Sequence, residues 1–173
     1  MKIVMINGAF GIGKTTVANS LITQLPNSML YDPEEVGQML RKITQGYRLP
    51  HEDTDDFQDI DLRPSITIEV AERLISKYQR TLIIPMTLAN EDYFLHIKNG
   101  LYNVASSLHH FCLTASVETI HQRLAQRGDV PGSWPFQQTI RCTEEHRKPI
   151  YAEKINSEDL SAAQIQDYIL DRV

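Results

Sequence analysis

Residues 3–15 read IVMINGAFGIGKT, and this stretch predicts the fold around which the rest of the chain is arranged. Gly8–Thr15 match the pattern G-x-x-x-x-G-K-[ST], the phosphate-binding P-loop. The apolar run Ile3–Ile6 before the loop is typical of a strand buried on both faces of a parallel sheet. Behind the loop, apolar residues recur at helical spacing until Pro26 ends the pattern. Strand, loop and helix therefore follow one another in the order that the motif requires.

The glycines of the loop predict its chemistry. Because glycine tolerates positive φ and has no side chain, the loop can turn its N–H groups toward phosphate oxygens, beside the positive end of the next helix. We expect Lys14 to reach the β- and γ-phosphates, the Thr15 hydroxyl to bind Mg²⁺, and Thr16 to contact the α-phosphate. The predicted nucleotide-binding residues are Gly8, Gly11, Ile12, Gly13, Lys14, Thr15 and Thr16. The motif thus predicts ATP and Mg²⁺ as ligands.

Composition narrows the functional class. The chain has 173 residues, enough for a hydrophobic core, and we expect residues 1–173 to form a single domain. Its 22 acidic and 17 basic residues give a formal charge of −5, which argues against a broad surface for nucleic acid or anionic membranes. Neither a signal peptide nor an apolar run of membrane-spanning length is found. We therefore expect a cytoplasmic protein without an integral membrane segment.

Neither the cysteines nor a histidine pair indicates a metal site. Cys112 and Cys142 fall in different predicted elements without ligand spacing, and we expect reduced thiols. His109 and His110 are neighbours in a predicted strand, so their side chains point to opposite faces and cannot easily share one ion. Thr15 remains the predicted metal ligand.

Asp32 follows the second apolar segment, Ser28–Tyr31, and has two interpretations. It is a predicted helix N-cap, because Pro33 and Glu35 complete a typical helix start. It also stands at the carboxyl end of a predicted strand beside the P-loop strand, where open α/β sheets bind ligands. A carboxylate there can accept a proton from an attacking hydroxyl or orient Mg²⁺ through water. We favour the functional interpretation, and one residue can serve both purposes.

The third predicted strand, Thr81–Thr87, lacks an acid that many P-loop proteins have. Their central strand often ends in an Asp that holds Mg²⁺ through water, whereas this strand ends in Pro85-Met86-Thr87. Either Asp32 takes over that role, or the metal is held by Thr15 and the phosphates alone.

Residues 51–61, HEDTDDFQDID, carry six acidic side chains and no clear periodicity. Such a run is usually a solvated loop. The alternative is a segment that faces the acceptor and is anchored by Phe57, since small kinases often bind the acceptor with an insertion between the second and third strands. The sequence leaves both interpretations open.

Two arginines precede a segment rich in glycine and proline. Arg123 and Arg127 are four apart on a predicted helix and so share one face, and Gly128 ends that helix. We predict a mobile lid over residues 128–135, because small kinases close such a loop over the γ-phosphate. The two guanidinium groups would then stabilise the charge on the transferring phosphoryl group in a site closed to water.

Alternating strand and helix patterns predict an α/β fold of three layers, with a five-stranded parallel sheet and helices on both faces. From small kinases with a lid we expect the strand order 2-3-1-4-5. We also expect a helix from Ile66 to Tyr78, a helix that starts after Asn90 and ends near Gly100, and a last strand within Ile150–Ile155.

Several segments carry a specific resemblance, and they occur in the same order over nearly the whole chain. They are INGAFGIGKT, YDPEEVGQMLR, DDFQ, LIIPMTL, HHFCLTASVETIHQRLAQR, SW and RC. Together they resemble the bacterial tunicamycin resistance protein family, which is similar in fold to nucleoside-monophosphate, shikimate and gluconate kinases and to chloramphenicol phosphotransferase. The resemblance implies ATP binding and protection against tunicamycin, a nucleoside antibiotic that carries sugars and an acyl chain.

Carried over position by position, the resemblance supports the loop residues, Asp32 at the strand end, and Arg123 and Arg127 at the lid. The strand end Pro85-Met86-Thr87 is a feature of the family, so the missing acid does not imply an inactive enzyme. The family tends to have Trp-Arg after DDFQ, where this chain has Arg63-Pro64.

Two functions follow as hypotheses. The first is an ATP-dependent kinase that transfers the γ-phosphoryl group to a hydroxyl of a nucleoside- or sugar-like molecule, with Asp32 as the base. Its predicted catalytic residues are Lys14, Asp32, Arg123 and Arg127. The second is ATP-dependent binding of tunicamycin or a similar ligand without chemistry, which the missing strand-end acid favours. In both cases the expected partner is a small-molecule acceptor or antibiotic and not a nucleic acid.

Overall fold

A five-stranded parallel sheet forms the centre of the molecule. The computed structural model describes every residue from Met1 to Val173. The strands are β1 (Lys2–Gly8), β2 (Ser28–Leu30), β3 (Thr81–Met86), β4 (Ser107–Thr114) and β5 (Lys154–Asn156). Their order is β2-β3-β1-β4-β5 and every pairing is parallel, which confirms the predicted order and the α/β class.

Seven α-helices cover the two faces of the sheet. They are α1 (Lys14–Gln24), α2 (Pro33–Ile43), α3 (Leu62–Tyr78), α4 (Glu91–Val104), α5 (Val117–Arg127), α6 (Trp134–Glu145) and α7 (Ala162–Leu170). None of them is both long enough and apolar enough to span a membrane. Because all strands run in one direction, their carboxyl ends meet at one edge, and the segments after β1, β2 and β3 lie side by side there.

The central strand β1 separates two hydrophobic cores. Its side chains alternate between the faces, so that Ile3 and Met5 enter one core while Val4 and Ile6 enter the other. The first core lies against α2, α3 and α4, and the second lies against α1, α5, α6 and α7. All four side chains are fully buried, as expected for a strand covered on both faces. The P-loop therefore starts from the central strand of the sheet, which is buried on both faces.

Two helix boundaries differ from the sequence predictions. α4 does not end at Gly100 but continues to Val104. Gly100 lies where α4 packs on α3, because a Cβ there would come within 2.2 Å of Ile68 Cδ1. This glycine permits close packing and does not end the helix. α3 begins at Leu62, four residues before the apolar pattern that starts at Ile66.

The last strand is shorter than predicted. Pro149–Tyr151 form a 3₁₀ turn, and only Lys154–Asn156 pair with β4. Tyr151 is fully buried in the first core and Ile150 packs against it. These two residues are apolar because they cover the core, which accounts for their resemblance to a strand.

Two buried histidines pack against aromatic rings of the first core, His110 against Phe94 and His146 against Tyr151. The His110 ring on β4 lies 4.8 Å from the Phe94 ring, and its Nδ1–H donates to the Ala152 carbonyl (2.5 Å). His146 follows α6, and its Nε2–H donates to the Leu88 carbonyl (2.9 Å). Burial lowers the pKa of both rings to about 4, because the charged form would lose its hydration. Both rings are therefore neutral in the folded protein at neutral pH.

These histidines make stability depend on pH. In an unfolded chain a histidine titrates near about pH 6.5, so between about pH 6.5 and 4 the unfolded state binds more protons than the folded state. We expect the free energy of unfolding to fall as the pH drops through this range, by up to about 1.4 kcal/mol per pH unit for each histidine. Urea denaturation across this pH range measures the slope.

Two variants test whether the buried rings cause this dependence of the unfolding free energy on pH. His146→Gln keeps a donor for the Leu88 carbonyl but does not titrate, so its slope should be smaller than that of the wild type. His96→Gln, at an exposed position on α4, should leave the slope unchanged. Identical slopes for the two variants would contradict the role of His146.

Candidate functional site

The P-loop turns between β1 and α1. Gly11 and Gly13 have φ angles of 75° and 106°, which side chains other than glycine rarely adopt. A Cβ at Gly11 would also lie 2.7 Å from Leu124 Cδ2, so this glycine allows the loop to pack on α5. At Gly13 no atom lies within 4 Å of such a Cβ. The loop is thus supported at Gly11 and open at Gly13.

Asn7, just before the loop, ties two strand ends together. Its side chain is fully buried, and Oδ1 accepts hydrogen bonds from the N–H groups of Gly8 and Leu88, both at 2.9 Å. Its Nδ2 donates to the Leu88 carbonyl (3.0 Å), which also accepts from His146. The first loop glycine and the chain after β3 are therefore held in one network. Sequence reasoning missed Asn7, although a polar residue that ends a buried strand is a usable signal.

Lys14 is a buried cation without a partner anion. Only 8% of its surface is exposed, and Nζ donates to the Ala9 carbonyl inside the loop (2.9 Å). It forms no salt bridge. Burial lowers the pKa of the Lys14 ammonium, and the nearby Glu34 carboxyl acts in the opposite direction. A desolvated ammonium held only by a carbonyl is suited to bind an anion.

A cleft of about 360 Å³ opens above the loop, a size typical of small-molecule sites. It brings together several predicted site residues from separate parts of the chain. Its lining includes Gly11, Gly13, Lys14, Thr15, Thr16, Asp32, Glu34, Pro85 and Arg127. Three predicted residues lie outside this lining: Gly8 is buried at the end of β1, the Ile12 side chain packs in the second core, and Arg123 lines a neighbouring cleft.

Two carboxyl groups line the cleft. Asp32 Oδ1 accepts from the Glu34 N–H (2.9 Å), so Asp32 is the N-cap of α2. The Glu34 carboxylate takes part in no hydrogen bond or salt bridge, and burial raises its pKa while Lys14 acts in the opposite direction. Sequence reasoning used this first turn only as a helix start and missed Glu34. Its place two residues after a strand-end acid is the signal that could have found it.

The oxygen ligands that line the cleft are suited to a magnesium ion beside a nucleotide. Thr15, Asp32 and Glu34 offer hydroxyl and carboxylate oxygens, the ligand type that Mg²⁺ prefers. β3 contributes Pro85 at this place and no acid. The two carboxyl groups after β2 are therefore the ones that are available for the role of the missing strand-end acid.

The structure separates the two predicted lid arginines. Arg127 lines the cleft and forms an ion pair with Asp129 (2.6 Å). Arg123 donates to the Ile12 carbonyl (3.2 Å) and to the hydroxyl and carbonyl oxygens of Ser157 (2.9 and 2.6 Å). It lines a second cleft of about 270 Å³, which shares the loop glycines with the first. In this conformation Arg127 and Arg123 line two different clefts.

The predicted lid is partly helical. Only residues 128–133 form a loop, because α6 begins at Trp134. The Trp134 ring packs edge-on against Phe10 of the P-loop, with the ring centroids 4.9 Å apart. Phe10 in turn lies 5.6 Å from Lys14 Nζ. The start of α6 is thus in contact with the phosphate-binding loop.

Comparison with models of known protein families shows to which family the chain belongs. A family model described as AAA domain matches residues 3–148. The chain belongs to this AAA domain family. The matched residues 3–148 include the P-loop, both carboxyl groups of the cleft, Arg123 and Arg127.

Several solved structures share the fold of this AAA domain. The tunicamycin resistance protein of Deinococcus radiodurans is 25% identical, with a TM-score of 0.80 over 99% of this chain and 95% of that one. A gluconokinase from Sinorhizobium meliloti 1021 is 18% identical (TM-score 0.66; 98% and 90% covered). Shikimate kinase from Acinetobacter baumannii is 20% identical (TM-score 0.60; 98% and 93% covered). No curated protein matches the sequence. The resemblance to tunicamycin resistance proteins is confirmed, and the fold is that of P-loop kinases.

The Asn7 network gives a testable stability effect. In Asn7→Ala the buried N–H groups of Gly8 and Leu88 lose their acceptor, so we expect the free energy of unfolding to fall by about 2–4 kcal/mol. Asn19→Ala, at an exposed position on α1, is the matched control and should change little. Urea denaturation compares the two, and equal midpoints would contradict the bracing role of Asn7.

Proposed function

We propose that this chain is an ATP-dependent phosphotransferase that acts on a hydroxyl of a nucleoside- or sugar-like small molecule. The observation that carries the proposal is Lys14, a buried cation without an anion, placed in one cleft with Asp32 and Glu34. A cation of this kind suits the β- and γ-phosphates of ATP, and a carboxylate beside it suits an attacking hydroxyl. The kinase names of the structural relatives support the same reaction class.

Each side chain has a proposed part in the transfer. The loop N–H groups and Lys14 bind the phosphates of ATP, with Thr16 at the α-phosphate. The Asp32 oxygen that does not cap α2 accepts the proton of the acceptor hydroxyl as it attacks. Arg127 stabilises the charge on the transferring phosphoryl group, and Arg123 positions the nucleotide in the neighbouring cleft. Thr15, with Asp32 and Glu34 nearby, would hold Mg²⁺, which when bound neutralises phosphate charge.

Removal of the Lys14 ammonium should weaken ATP binding. A charge-assisted contact of this type is worth about 1.5–3 kcal/mol, so Lys14→Ala should lose about 10- to 100-fold in affinity for Mg·ATP. Lys42→Ala, at an exposed position on α2, is the control and should bind as the wild type does. Calorimetric titration measures both affinities, and an unchanged affinity in Lys14→Ala would contradict the nucleotide site.

Removal of the proposed base should lower turnover without weakening ATP binding. Asn can also cap a helix, so Asp32→Asn should fold and bind ATP while turnover falls by about 10²- to 10⁴-fold. The acceptor is found first, by mass spectrometry of a mixture of tunicamycin, nucleosides, sugars and sugar acids incubated with Mg·ATP. Turnover of the phosphorylated acceptor is then compared in Asp32→Asn, Glu34→Gln and the exposed control Glu35→Gln. Full turnover in Asp32→Asn would exclude Asp32 as the base.

Substitution of the two arginines should impair different properties, turnover for Arg127 and ATP affinity for Arg123. Arg127→Ala should lower turnover by about 100-fold with little change in ATP affinity, because Arg127 acts on charge that develops during transfer. Arg123→Ala should weaken ATP binding and lower the melting temperature, because it removes the contacts to Ile12 and Ser157. Calorimetry and initial rates distinguish the two effects. Equal losses of turnover with unchanged ATP affinity would instead indicate a joint role at the γ-phosphate.

A second candidate function is ATP-dependent binding of a tunicamycin-like ligand without phosphoryl transfer. The absence of an acid at the end of β3 favours it, and so does the name of the relative from Deinococcus radiodurans. Mass analysis of tunicamycin after incubation with the protein and Mg·ATP decides between the two. Tunicamycin that gains a phosphoryl group excludes pure binding, whereas unmodified tunicamycin that binds only with ATP present supports it.

A further inference from the structure

A separate cavity of about 340 Å³ lies between the P-loop, the carboxyl ends of β4 and β5, and the helices α5 and α6. It shares no lining residue with the cleft that contains Lys14, and it shares only Ile12 with the cleft that contains Arg123. Its volume falls within the range of small-molecule sites. The proposed phosphoryl transfer does not use this cavity.

One wall of the cavity is apolar. It is formed by Ala9 and Ile12 of the P-loop, Leu113 of β4 and Ile120 of α5. All four side chains belong to the second hydrophobic core and are at most 3% exposed, so packing fixes the shape of this wall. The wall offers a contact surface for the apolar body of a ligand.

His146 adds a hydrogen-bond acceptor without a partner. Its side chain lines the cavity and is only 2% exposed. Because Nε2–H donates to the Leu88 carbonyl (2.9 Å), Nδ1 of the neutral ring carries no proton and is an acceptor. Burial lowers the pKa of this ring to about 4, which keeps it neutral at pH 7. No group of the protein donates to Nδ1, so a ligand in the cavity can do so.

Two hydroxyl groups of the lining have already donated their protons. Ser116 donates to Glu158 Oε1 (2.5 Å), and Thr143 donates to the Thr139 carbonyl (2.8 Å). Their oxygens therefore offer lone pairs to a ligand. The Glu158 carboxylate also lines the cavity, where it adds a negative charge. These groups suit a ligand that donates hydrogen bonds.

Arg147 is the only cation of the lining, and it would favour an acid instead. Arg147 and Glu158 are both exposed, neither forms a salt bridge, and their charges are opposite. Water and salt weaken exposed charges much more than buried polar groups. We therefore expect the buried acceptor on His146 to decide which ligand binds, and a lone pair there attracts a donor and repels a carboxylate.

We propose that this cavity is a second ligand site, which takes a small amine with an apolar body. The ammonium group donates to His146 Nδ1 and lies on the side of Glu158, while the apolar body packs on Ile12, Leu113 and Ile120. The site goes beyond the proposed function, because it uses neither ATP nor the acceptor.

Such a ligand would contact the phosphate-binding loop directly. Ala9 and Ile12 line the cavity, and the carbonyl groups of the same two residues accept from Lys14 and Arg123. The two loop residues that the ligand would touch are thus the ones that hold the cations of the two neighbouring clefts.

Three probes with one ring and different charges test the ligand class. Benzylamine, benzyl alcohol and benzoate are titrated into the full chain, labelled at the isoleucine methyl groups for NMR. Ile12 and Ile120 report on the cavity, and the exposed Ile43 and Ile140 are internal controls. We expect benzylamine to shift the Ile12 and Ile120 signals alone and to bind at least about 5-fold more tightly than the other two probes. No shift with benzylamine, or equal affinity for benzoate or benzyl alcohol, overturns the proposal.

A variant that fills the cavity tests the place of binding. Ala115 lines the cavity and is partly exposed, so Ala115→Phe should occupy the space and abolish the Ile120 shift. Ala163→Phe, at an exposed position on α7, is the matched control and should bind benzylamine as the wild type does. Binding that survives in folded Ala115→Phe overturns the proposal.

A second variant tests the charge and does not alter the packing. Glu158→Gln keeps an acceptor for Ser116 but loses the negative charge, so its affinity for benzylamine should fall by about two- to five-fold. Glu118→Gln, at an exposed position on α5 outside the lining, should leave the affinity unchanged. Equal affinities in the two variants would count against the proposal even if Ala115→Phe does not fold.

The same titration in saturating Mg²⁺ and a non-hydrolysable ATP analogue separates this site from the nucleotide site. We expect the Ile120 shift with benzylamine to persist. Complete competitive displacement by the analogue would show that the cavity is part of the nucleotide site, and it would overturn this proposal alone. Failure of the analogue to bind would overturn the proposed function, whereas the titration without nucleotide would still test the amine site.

Discussion

The buried side chain of Asn7 is the constraint on which the site depends. Through three hydrogen bonds it joins the first loop glycine to the chain that leaves β3. Because backbone groups at the end of a buried strand have no water to bind, these contacts are costly to replace. The phosphate-binding loop and the strand end are therefore one rigid unit, and the groups that line the cleft from β2 and α2 are positioned against it.

Two ionisable side chains that line the cleft, Lys14 and Glu34, form no salt bridge. Lys14 is buried and its ammonium donates only to the Ala9 carbonyl, although the Glu34 carboxyl lines the same cleft. In most folded proteins a buried cation is paired, since desolvation otherwise exceeds what the interior supplies. Native proteins are stable by only about 5–15 kcal/mol, so even one such group is a large cost. This unpaired cation is the physical feature of the cleft that favours an anionic ligand.

Much of the fold could be predicted from the sequence because the decisive signals are local. The P-loop pattern encodes a backbone conformation, and Asp32-Pro33 encodes a helix start, so both were found without tertiary information. The order of the strands is not a local property; analogy with small kinases predicts it, and the structure confirms it. The Gly100 prediction failed for the opposite reason, since its role is set by Ile68 on another helix.

The site was predicted less completely than the fold. Spacing places Arg123 and Arg127 on one helix face, but Arg123 donates to Ser157, which is far away in the chain, whereas Arg127 pairs with nearby Asp129 and lines the cleft. The absence of partners is harder still to predict. Nothing in the local sequence around Lys14 shows that its buried ammonium donates to the Ala9 carbonyl and forms no salt bridge.

The contact between Phe10 and Trp134 has an optical consequence. Trp134 is the only tryptophan of the chain, and its ring packs on the loop that would surround phosphate. Indole fluorescence responds to the polarity and the quenching groups around the ring. Any movement of Phe10 or of the start of α6 that accompanies nucleotide binding would therefore change the emission of the unlabelled protein, which carries its own reporter next to the P-loop.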